Sequence, residues 1–428
     1  MEKIRVLIFP AGAENALEIL DAIKDNVNIE VYGASGKADH AQYVYDKEHY
    51  FEGDYYINLP SFKRTFCDLL KKLSIDVLIP THDTIALYFA ENAQDYPVKI
   101  LTADLKTAQI CREKKKIYQV FQDCSFCPRV FRDIADILDN FPLFVKPNIG
   151  EGAKGAGIIY SLNDLQYYLG RYKKEFVIME YLPGDEFTID CFTDKNGSLK
   201  YCGIRTRERI QMGIAFRSRT LSLPKEIRSM AEIINKRLQF LGGWFFQVKK
   251  DANGEYKLLE VSCRIAGTMT IHRHKGINFP MLGIFEIMGI STNYIEMPYD
   301  LELDRCLHAK YRLNYDYQNV YIDYDDTITS KSLINLKTIY FLYHAKNQGK
   351  TIILLTRHEG DLEMDMEERC IHRNLFDEII HISFTEEKKE FINPQKAIFI
   401  DNSFAERKSI SDTYHIPVFD VDAIDALF

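Results

Sequence analysis

Residues 141–159, FPLFVKPNIGEGAKGAGII, are the most informative part of this sequence. An apolar, strand-like run ends on Lys146, and a loop follows that contains Gly150, Gly152, Gly155 and Gly157. Glycine lets a backbone approach a phosphate and point N–H groups at it, and a lysine at the end of the strand adds a positive charge. The pattern favours a phosphate site, although a flexible hairpin turn has the same composition.

A second informative stretch is WFFQVKKDANGEYKLLEVSCRIAG, residues 244–267. It is typical of a β-hairpin, because the Asn-Gly pair in Ala252–Gly254 favours the positive φ angles of a hairpin loop. Side chains two residues apart on a strand face the same side. The spacing therefore predicts one face that carries oxygen ligands and a guanidinium, from Gln247, Glu260, Ser262 and Arg264.

The N-terminal region alternates short apolar runs with helical patterns, which indicates a parallel sheet covered by helices. The predicted strands and helices are Ile4–Phe9, Glu14–Lys24, Asn28–Ala34, Ser61–Leu73 and Asp76–Pro80. Ligands of such sheets bind beyond the carboxyl ends of the strands, so the loops Pro10–Gly12 and Pro80–Asp83 are candidate walls of a cleft. Neither loop has a GxGxxG motif, and both are equally compatible with tight turns.

The middle of the chain begins with a predicted helix at Thr107–Gln122 and continues as strand-rich sequence. A strand at Phe176–Met179 leads into the acidic turn Glu180–Glu186, and a further strand, FTIDCF, follows. The turn thus joins two strands close to the predicted phosphate loop.

These motifs together resemble the ATP-grasp superfamily, specifically the carbamoyl-phosphate-synthase-like ligases, over roughly residues 1–300. Glu113-Lys114 stands where that family has an Asp-Lys pair. The resemblance implies ATP and Mg²⁺ as cofactors. It implies that the phosphates are bound by Lys114, Lys146 and the flap with Gly152 and Gly155. Adenine would be bound by Glu180, Tyr181 and Leu182, and the ribose by Glu186. The Mg²⁺ ligands would be Gln247, Glu260 and Ser262.

One position departs from the family. The pattern E-x-N-x-R appears here as Glu260-Val261-Ser262-Cys263-Arg264, so serine replaces the asparagine ligand. A serine hydroxyl also holds magnesium in P-loops. The resemblance implies that the ligase activates a carboxylate as an acyl phosphate, which an amine or ammonia then attacks, and that Arg264 stabilises the transition state. The alternative is a nucleotide-binding module whose turnover is weakened through Ser262.

Two basic groups have no single interpretation. Five arginines flank the Gly213 turn: Arg205, Arg207, Arg209, Arg217 and Arg219. Similar ligases have their acceptor site beside this turn, but such arginines are equally typical of a solvated pair of charged strands. The run His272–Lys275 is either an anion-facing loop or, less in keeping with its spacing, a metal site.

The C-terminal region begins with VYIDYDDTIT, Val320–Thr329, an apolar strand that ends in clustered carboxylates. Such a cluster is costly unless a cation compensates it, which predicts a Mg²⁺ site. A helix follows, with apolar residues at helical spacing, and then two strands that end at Thr356 and Asp401. The apolar positions of that helix are Leu336, Ile339, Tyr340 and Tyr343.

This region resembles the haloacid-dehalogenase-like (HAD) phosphatases over about residues 318–428. The resemblance implies that Asp323 is the nucleophile and Asp325 the general acid and base, that Thr356 binds the phosphoryl group, and that Lys388 or Lys389 is the cation. Asp323, Asp325, Asp401 and Glu406 would form the metal shell. About thirty residues separate Asp323 from Thr356, too few for a cap domain. A magnesium-free flavodoxin-like fold and a domain that only braces the protein are the alternatives.

Composition limits the partners. The 428 residues carry a net charge of −8, without the basic excess of a nucleic-acid binder. No apolar run reaches the ~20 residues that cross a bilayer, so we expect a cytoplasmic protein without a membrane partner. The nine cysteines, Cys124 and Cys127 included, are expected to be reduced thiols. Expected partners are a small-molecule carboxylate, an amine and a phosphorylated metabolite; a homo-oligomeric state is left open.

The sequence as a whole predicts a multidomain chain of α/β and α+β class. A parallel α/β pre-ATP-grasp domain would occupy residues 1–100, an ATP-grasp domain 101–312, and a Rossmann-like HAD domain without a cap 318–428. The expected function is bifunctional: an ADP-forming ligase with a magnesium-dependent phosphatase.

Overall fold

The computed structural model describes residues 2–132, 134–138, 140–150, 152, 154–172, 174–211, 213–291, 293–331 and 333–428. The chain divides into two compact units, Met1–Leu307 (unit 1) and His308–Phe428 (unit 2). A further boundary at residue 100 stays a prediction.

Unit 1 begins with a parallel sheet in the strand order β3-β2-β1-β4-β5. Its strands are β1 (Ile4–Phe9), β2 (Ile29–Ser35), β3 (Tyr50–Glu52), β4 (Val77–Pro80) and β5 (Lys99–Ile100), and its helices are α1 (Glu14–Ile23), α2 (Phe62–Lys72) and α3 (Asp83–Glu91). Val6 and Ile8 of β1 belong to one hydrophobic core, and Leu7 and Phe9 belong to another. Because successive side chains point to opposite faces, β1 is buried on both sides, as in helix-covered parallel sheets.

The predicted helix at Thr107–Gln122 is two helices, α4 (Leu105–Arg112) and α5 (Lys114–Val120). Glu113 between them has extended backbone angles. The start of α5 is held by Asn148, whose carbonyl accepts from the amide of Lys114 at 3.1 Å and whose side chain accepts from the amide of Lys115 at 2.8 Å. The helix breaks at Glu113, and a distant residue caps the start of the second helix, which corrects the prediction of one continuous helix.

An antiparallel sheet in the order β6-β9-β7-β8 follows in unit 1. Its strands are β6 (Val130–Phe131), β7 (Leu143–Pro147), β8 (Gly157–Ile159) and β9 (Phe176–Glu180), with α6 (Ile134–Leu138) and α7 (Leu162–Arg171) between them. Lys146 therefore lies on β7, one residue before the strand ends.

A larger sheet in the order β12-β13-β11-β10-β14-β15 completes unit 1, and β16 pairs with β13. The elements are β10 (Glu186–Thr193), β11 (Leu199–Thr206), β12 (Arg209–Gln211), β13 (Ile214–Leu221), α8 (Lys225–Arg237), β14 (Gly242–Lys250), β15 (Tyr256–Ser262), α9 (Phe279–Ile287) and β16 (Glu302–Asp304). The predicted hairpin is β14–β15: Gln247 lies opposite Glu260, and Gly254 in the turn has φ 85°.

Unit 2 is built on a parallel sheet in the order β21-β20-β17-β22-β23. Its elements are β17 (Asn319–Ile322), β18 (Thr329–Ser330), β19 (Leu333–Ile334), α10 (Leu336–Asn347), β20 (Thr351–Thr356), α11 (Leu362–Glu368), β21 (Glu378–His381), β22 (Ala397–Ile400), α12 (Phe404–Tyr414) and β23 (Val418–Phe419). Between β17 and β20 the described residues form one short hairpin and one helix. This agrees with the spacing argument that leaves no room for a cap.

The buried face of α10 differs from the prediction. Leu336 and Tyr340 are exposed by 78% and 63%, and Tyr343 is exposed as well. The helix instead buries the adjacent stripe, which contains Thr338, Phe341, Leu342 and Ala345. Phe341 and Leu342 join the core of unit 2, whereas Tyr340 and Tyr343 stay largely exposed.

The cysteines are free thiols throughout, as predicted. Cys127 packs beside α5, where its Sγ lies 3.6 Å from the carbonyl oxygen of Tyr118. Among the helices of the described residues, none combines the length and the apolar character that a membrane crossing requires.

Candidate functional site

A cavity in unit 1 lies between the β7–β9 sheet and the β14–β15 hairpin. Its walls contain almost every residue that the resemblance assigns to the nucleotide. The lining includes Lys114, Lys146, Gly150, Gly152, Lys154, Glu180, Tyr181, Leu182, Glu186, Arg207, Gly213, Gln247 and Glu260. Segments far apart in the chain thus meet at one place.

Lys146 is the buried cation of this cavity, with 7% of its surface exposed. Its Nζ donates to the carbonyl oxygen of Leu259 at 2.9 Å and lies 5.2 Å from the ring centroid of Tyr118. Burial, helped by the nearby charge of Lys114, lowers the pKa of Lys146 to about 7, although Glu260 and Glu186 oppose the shift. An anion bound here would stabilise the charged form of the amine.

Lys114 and the glycine loop form the next part of the wall. Lys114 opens α5, and its Nζ is 3.4 Å from the carbonyl oxygen of Gly150. Gly152 and Gly155 have φ angles of 65° and 78°, in the left-handed region that glycine adopts without strain. Glu151 and Ala153 of the same predicted flap lie outside the described residues.

The Glu180–Leu182 segment leaves β9 along the cavity. The carboxylate of Glu180 accepts from the amide of Arg129 at 2.8 Å, and the amide of Glu180 donates to the carbonyl oxygen of Arg129 at 3.0 Å. Leu182 is buried in the core of unit 1. These contacts fix the segment at both ends, so that its backbone forms a stable edge of the cavity.

Glu186 has a partner that sequence reasoning did not pair with it. Arg207 Nε lies 2.6 Å from Glu186 Oε1, and Arg207 Nη2 donates to the carbonyl oxygen of Gly213 at 2.8 Å. Arg207 therefore belongs to the cavity, whereas the sequence placed it only among five arginines of uncertain role.

The hairpin residues divide into two groups. Gln247 and Glu260 face the cavity together, as predicted. Ser262 and Arg264 are held instead by Asp83 at the start of α3: Ser262 Oγ donates to Asp83 Oδ1 at 2.7 Å, and Arg264 Nη2 donates to Asp83 Oδ2 at 3.1 Å. Burial would raise the pKa of Asp83, but Arg264 and Ser262 hold it below the ordinary value. In the sequence, Asp83 is distinguished only as the last residue of the candidate loop Pro80–Asp83.

The other arginines mostly form ordinary ion pairs. Arg209 pairs with Asp304, Arg217 with Glu302 and Glu208, and Arg219 with Glu208, all on exposed strands. This agrees with the solvated strand-pair interpretation for these three.

Arg205 and His272 are buried around one carboxylate. Arg205 Nε lies 2.7 Å from Asp190 Oδ2, and His272 Nε2 lies 3.1 Å from the same oxygen. His272 also contacts the hydroxyl of Tyr201 at 3.0 Å. The interpretation of His272 as part of an anion-facing loop is therefore wrong, because its ring is enclosed with its own partners.

A second site lies at the carboxyl edge of the sheet in unit 2. Three neighbouring strands, β20, β17 and β22, end at or next to Thr356, Asp323 and Asp401. Lys388 bridges the two carboxylates, with Nζ 2.5 Å from Asp323 Oδ1 and 2.7 Å from Asp401 Oδ2. Lys389 is instead paired with Glu387 at the surface. Of the two candidate lysines, Lys388 is therefore the one that contacts Asp323 and Asp401.

The remaining predicted groups surround this bridge. Thr356 Oγ1 is buried and makes no hydrogen bond within the described residues. Asp325 contacts His358 Nδ1 at 2.9 Å, whereas Glu406 contacts Arg357 at 2.5 Å and is thereby drawn into an ion pair. Burial, followed by the charge of Asp323, raises the pKa of Asp401 to about 6.

These contacts bear on the metal prediction. The described residues contain no group of three or more His, Cys, Asp or Glu side chains arranged to hold a metal ion. Lys388 occupies the space between two of the predicted ligands in unit 2, and Asp325 turns to His358. The donor chemistry nevertheless fits Mg²⁺, because the candidate ligands Asp323, Asp325 and Asp401 offer carboxylate oxygens.

The architecture and cavity of unit 1 define an ATP-grasp-like fold. Residues 172–305 match the family model described as ATP-grasp in the biosynthetic pathway with Ter operon. None of the curated proteins matches the chain.

Solved structures with the same fold support this class. N5-carboxyaminoimidazole synthetase from Staphylococcus aureus, complexed with ADP, has a TM-score of 0.58 and 16% identity, over 72% of this chain and 83% of that chain. A biotin carboxylase–β,γ-ATP complex from Campylobacter jejuni has a TM-score of 0.57 and 14% identity, over 70% of this chain and 75% of that chain. The biotin carboxylase domain of Hydrogenobacter thermophilus 2-oxoglutarate carboxylase, a dimer with MgADP, ADP and bicarbonate, has a TM-score of 0.57 and 14% identity, over 69% and 72%. At these identities the likeness is one of fold.

Proposed function

We propose that unit 1 is an ADP-forming ligase that binds ATP and magnesium in the cavity between the β7–β9 sheet and the β14–β15 hairpin. The observation that carries this proposal is the convergence of Lys146, Glu186 and Glu260, which come from three separate strands, on one cavity. The match to an ATP-grasp family model and the nucleotide complexes of similar folds support it.

The chain's own residues would hold the nucleotide as follows. Lys146 and Lys114 neutralise phosphate charge, and the loop with Gly152 and Gly155 covers the phosphates through its backbone N–H groups. The Glu180–Leu182 backbone binds adenine, and Glu186 binds the ribose. Gln247, Glu260 and Ser262 would hold magnesium, which neutralises charge on the phosphates.

The reaction would couple ATP cleavage to bond formation between a carboxylate and an amine. A carboxylate oxygen attacks the γ-phosphorus, ADP leaves, and the acyl phosphate forms. The amine or ammonia then attacks the carbonyl carbon, and inorganic phosphate leaves with the bond electrons while the nitrogen loses a proton. Arg264 would stabilise the charge that develops during transfer. Small-molecule carboxylate and amine substrates follow from this chemistry.

We further propose that unit 2 is a magnesium-dependent HAD-type phosphatase. Asp323 attacks the phosphorus of a phosphorylated metabolite, and Asp325 protonates the leaving oxygen. Water then attacks the aspartyl phosphate, with Asp325 as the base, and releases phosphate. The unpartnered Thr356 hydroxyl would donate to the phosphoryl group, Lys388 would neutralise its charge, and magnesium would be held by Asp323, Asp325 and Asp401.

Domain limits at 1–100, 101–312 and 318–428, a cytoplasmic location and a homo-oligomeric state are parts of the same proposal. A nucleotide-binding module with weakened ligase turnover is the second candidate, attached to an active phosphatase. The serine at position 262, where the family motif has asparagine, favours it.

One experiment tests the first candidate against the second. The purified chain is incubated with Mg·ATP and pools of carboxylates and amines, and the spent nucleotide is separated by chromatography. ADP release that depends on both pools supports the ligase. ADP release by no pool, with ATP still bound, supports the binding module, whereas AMP and pyrophosphate would contradict the acyl-phosphate route. Lys146→Ala serves as the inactive control.

A further inference from the structure

Asp83 joins the N-terminal sheet to the strand that carries the metal-ligand motif. It is the first residue of α3, directly beyond the carboxyl end of β4. Its two oxygens are divided between Ser262 at 2.7 Å and Arg264 at 3.1 Å, residues that lie two and four positions after Glu260. One carboxylate therefore fixes both side chains that follow Glu260 in the motif.

The direction of the hydrogen bond at Ser262 determines what its oxygen can do. An ionised carboxylate only accepts hydrogen bonds, so Ser262 must be the donor. Asp83 also forms an ion pair with the guanidinium of Arg264, whose Nη2 lies 3.1 Å from Asp83 Oδ2, so its carboxylate accepts from both neighbours. With its proton committed to Asp83, Ser262 Oγ presents only lone pairs to any other partner.

A serine in this state resembles the asparagine that it replaces. An asparagine side chain offers a carbonyl oxygen that is an acceptor without any help, whereas a lone hydroxyl can turn its proton toward a neighbour. Asp83 removes that freedom. It also orients the guanidinium of Arg264, which in addition donates to the carbonyl oxygen of Ile265 at 3.2 Å and lies 5.4 Å from the ring centroid of Phe245.

We propose that Asp83 is a positioning residue of the ligase site, which fixes Ser262 Oγ as an acceptor toward the magnesium of Mg·ATP and holds Arg264 in its orientation. The Asp83–Ser262 pair then takes the place of the single asparagine ligand. This inference rests on the proposed ATP site in unit 1. Under this inference, Ser262 has the ligand role that asparagine has in the family motif.

The test compares ATP binding with and without magnesium. Calorimetry on the full chain gives the dissociation constant of ATP in excess chelator and in excess Mg²⁺. The first constant divided by the second is the magnesium-dependent gain in ATP affinity. Loss of an outer-shell partner typically costs about 10–100-fold in metal affinity. Asp83→Asn should lower the gain about tenfold and leave the chelator value unchanged. Asp83→Asn combined with Ser262→Asn should recover most of the gain, because asparagine needs no help from Asp83.

Two further variants keep the test decisive. Ser262→Ala leaves Asp83 and Arg264 paired, so it should fold and should lose the gain to the same extent. Asp123→Asn removes a carboxylate that also holds an arginine, at 2.6 Å and 2.8 Å from Arg237, but Arg237 ends α8 and is not part of the metal-ligand motif, so the variant should behave as the wild type.

The outcomes separate this inference from the proposed function. A wild-type gain in both Asp83→Asn and Ser262→Ala would overturn the positioning role while the ATP site stands. Failure of the double variant to recover would overturn the equivalence of the pair to asparagine. A wild-type chain that binds no ATP under either condition would instead overturn the proposed function itself.

Discussion

Lys146 Nζ donates a hydrogen bond of 2.9 Å to the main-chain oxygen of Leu259. The bond joins the end of β7 to β15 and places the amine one residue from Glu260. The cavity of unit 1 is therefore assembled around a buried amine that is already oriented by its hydrogen bond. A preorganised donor of this kind is what phosphate binding requires.

The first prediction concerns protons. The pKa of Lys146 is about 7 in the free protein, and a bound triphosphate should raise it toward the ordinary lysine value of 10.5. ATP binding should therefore take up a proton at about pH 8 and almost none at about pH 6. Affinity should fall as pH rises above 7, by up to about tenfold per pH unit. Calorimetry in buffers of different ionisation enthalpy measures the uptake.

Lys146→Arg is the matched control, because arginine stays charged throughout this range. In that variant the extra affinity loss between about pH 7 and pH 9 should disappear. The same pH dependence in both proteins would show that another group takes up the proton.

A second prediction separates two neighbouring lysines. Lys388 is buried between Asp323 and Asp401, whereas Lys389 is paired with Glu387 at the surface. Lys388→Met should lower magnesium-dependent hydrolysis of an aryl phosphate by at least about a hundredfold, because the cation beside the nucleophile is lost. Lys389→Met should retain most of the activity. Equal losses of activity in the two variants would contradict the assignment of Lys388 as the cation beside the nucleophile.

The third prediction concerns the nucleophile of unit 2. Asp323→Asn keeps the shape of the side chain but removes its negative charge, so phosphate release should vanish while circular dichroism stays unchanged. Asp412→Asn, at an exposed pair with Lys408, is the control and should be fully active. Wild-type turnover in Asp323→Asn would exclude aspartyl-phosphate chemistry at this residue.

A fourth prediction concerns stability. Asp190 is fully buried and paired with Arg205, so Asp190→Asn leaves a buried guanidinium without its counter-charge. Breaking such a pair should destabilise unit 1 by about 3–5 kcal/mol. Arg219→Ala, at an exposed ion pair, should change the unfolding free energy by less than about 1 kcal/mol. Chemical denaturation monitored by the fluorescence of Trp244 gives the unfolding free energy of both variants. Similar losses of unfolding free energy would contradict a stabilising role for the buried Asp190–Arg205 pair.

Local patterns predicted local geometry well. Alternation along the strands and the Asn-Gly turn placed Gln247 opposite Glu260. The break between α4 and α5 could not be found in the same way, because the cap comes from Asn148, more than thirty residues away. Likewise the helical spacing identified α10 but not its buried face, since two adjacent apolar stripes compete and only tertiary packing selects Phe341 and Leu342.

The long-range partners were the least predictable part of the sites. Asp83 and Ser262 are separated by 179 positions, and nothing near either residue indicates the other. The sequence does not distinguish Arg207 from four similar arginines, and the β10–β11 register places it beside Glu186. Motifs thus supplied the candidate residues, whereas the fold determined which of them meet.

The most direct test of the account is calorimetric titration of ATP into the wild-type chain, Lys146→Ala and Lys115→Ala. Lys115 is the matched control, because its exposed amine is paired with Glu175 and does not line the cavity. We expect the wild type and Lys115→Ala to bind ATP alike, and Lys146→Ala to bind at least about a hundredfold more weakly, since a charge-assisted contact to phosphate is lost. Unchanged ATP affinity in Lys146→Ala would mean that this cavity is not the nucleotide site.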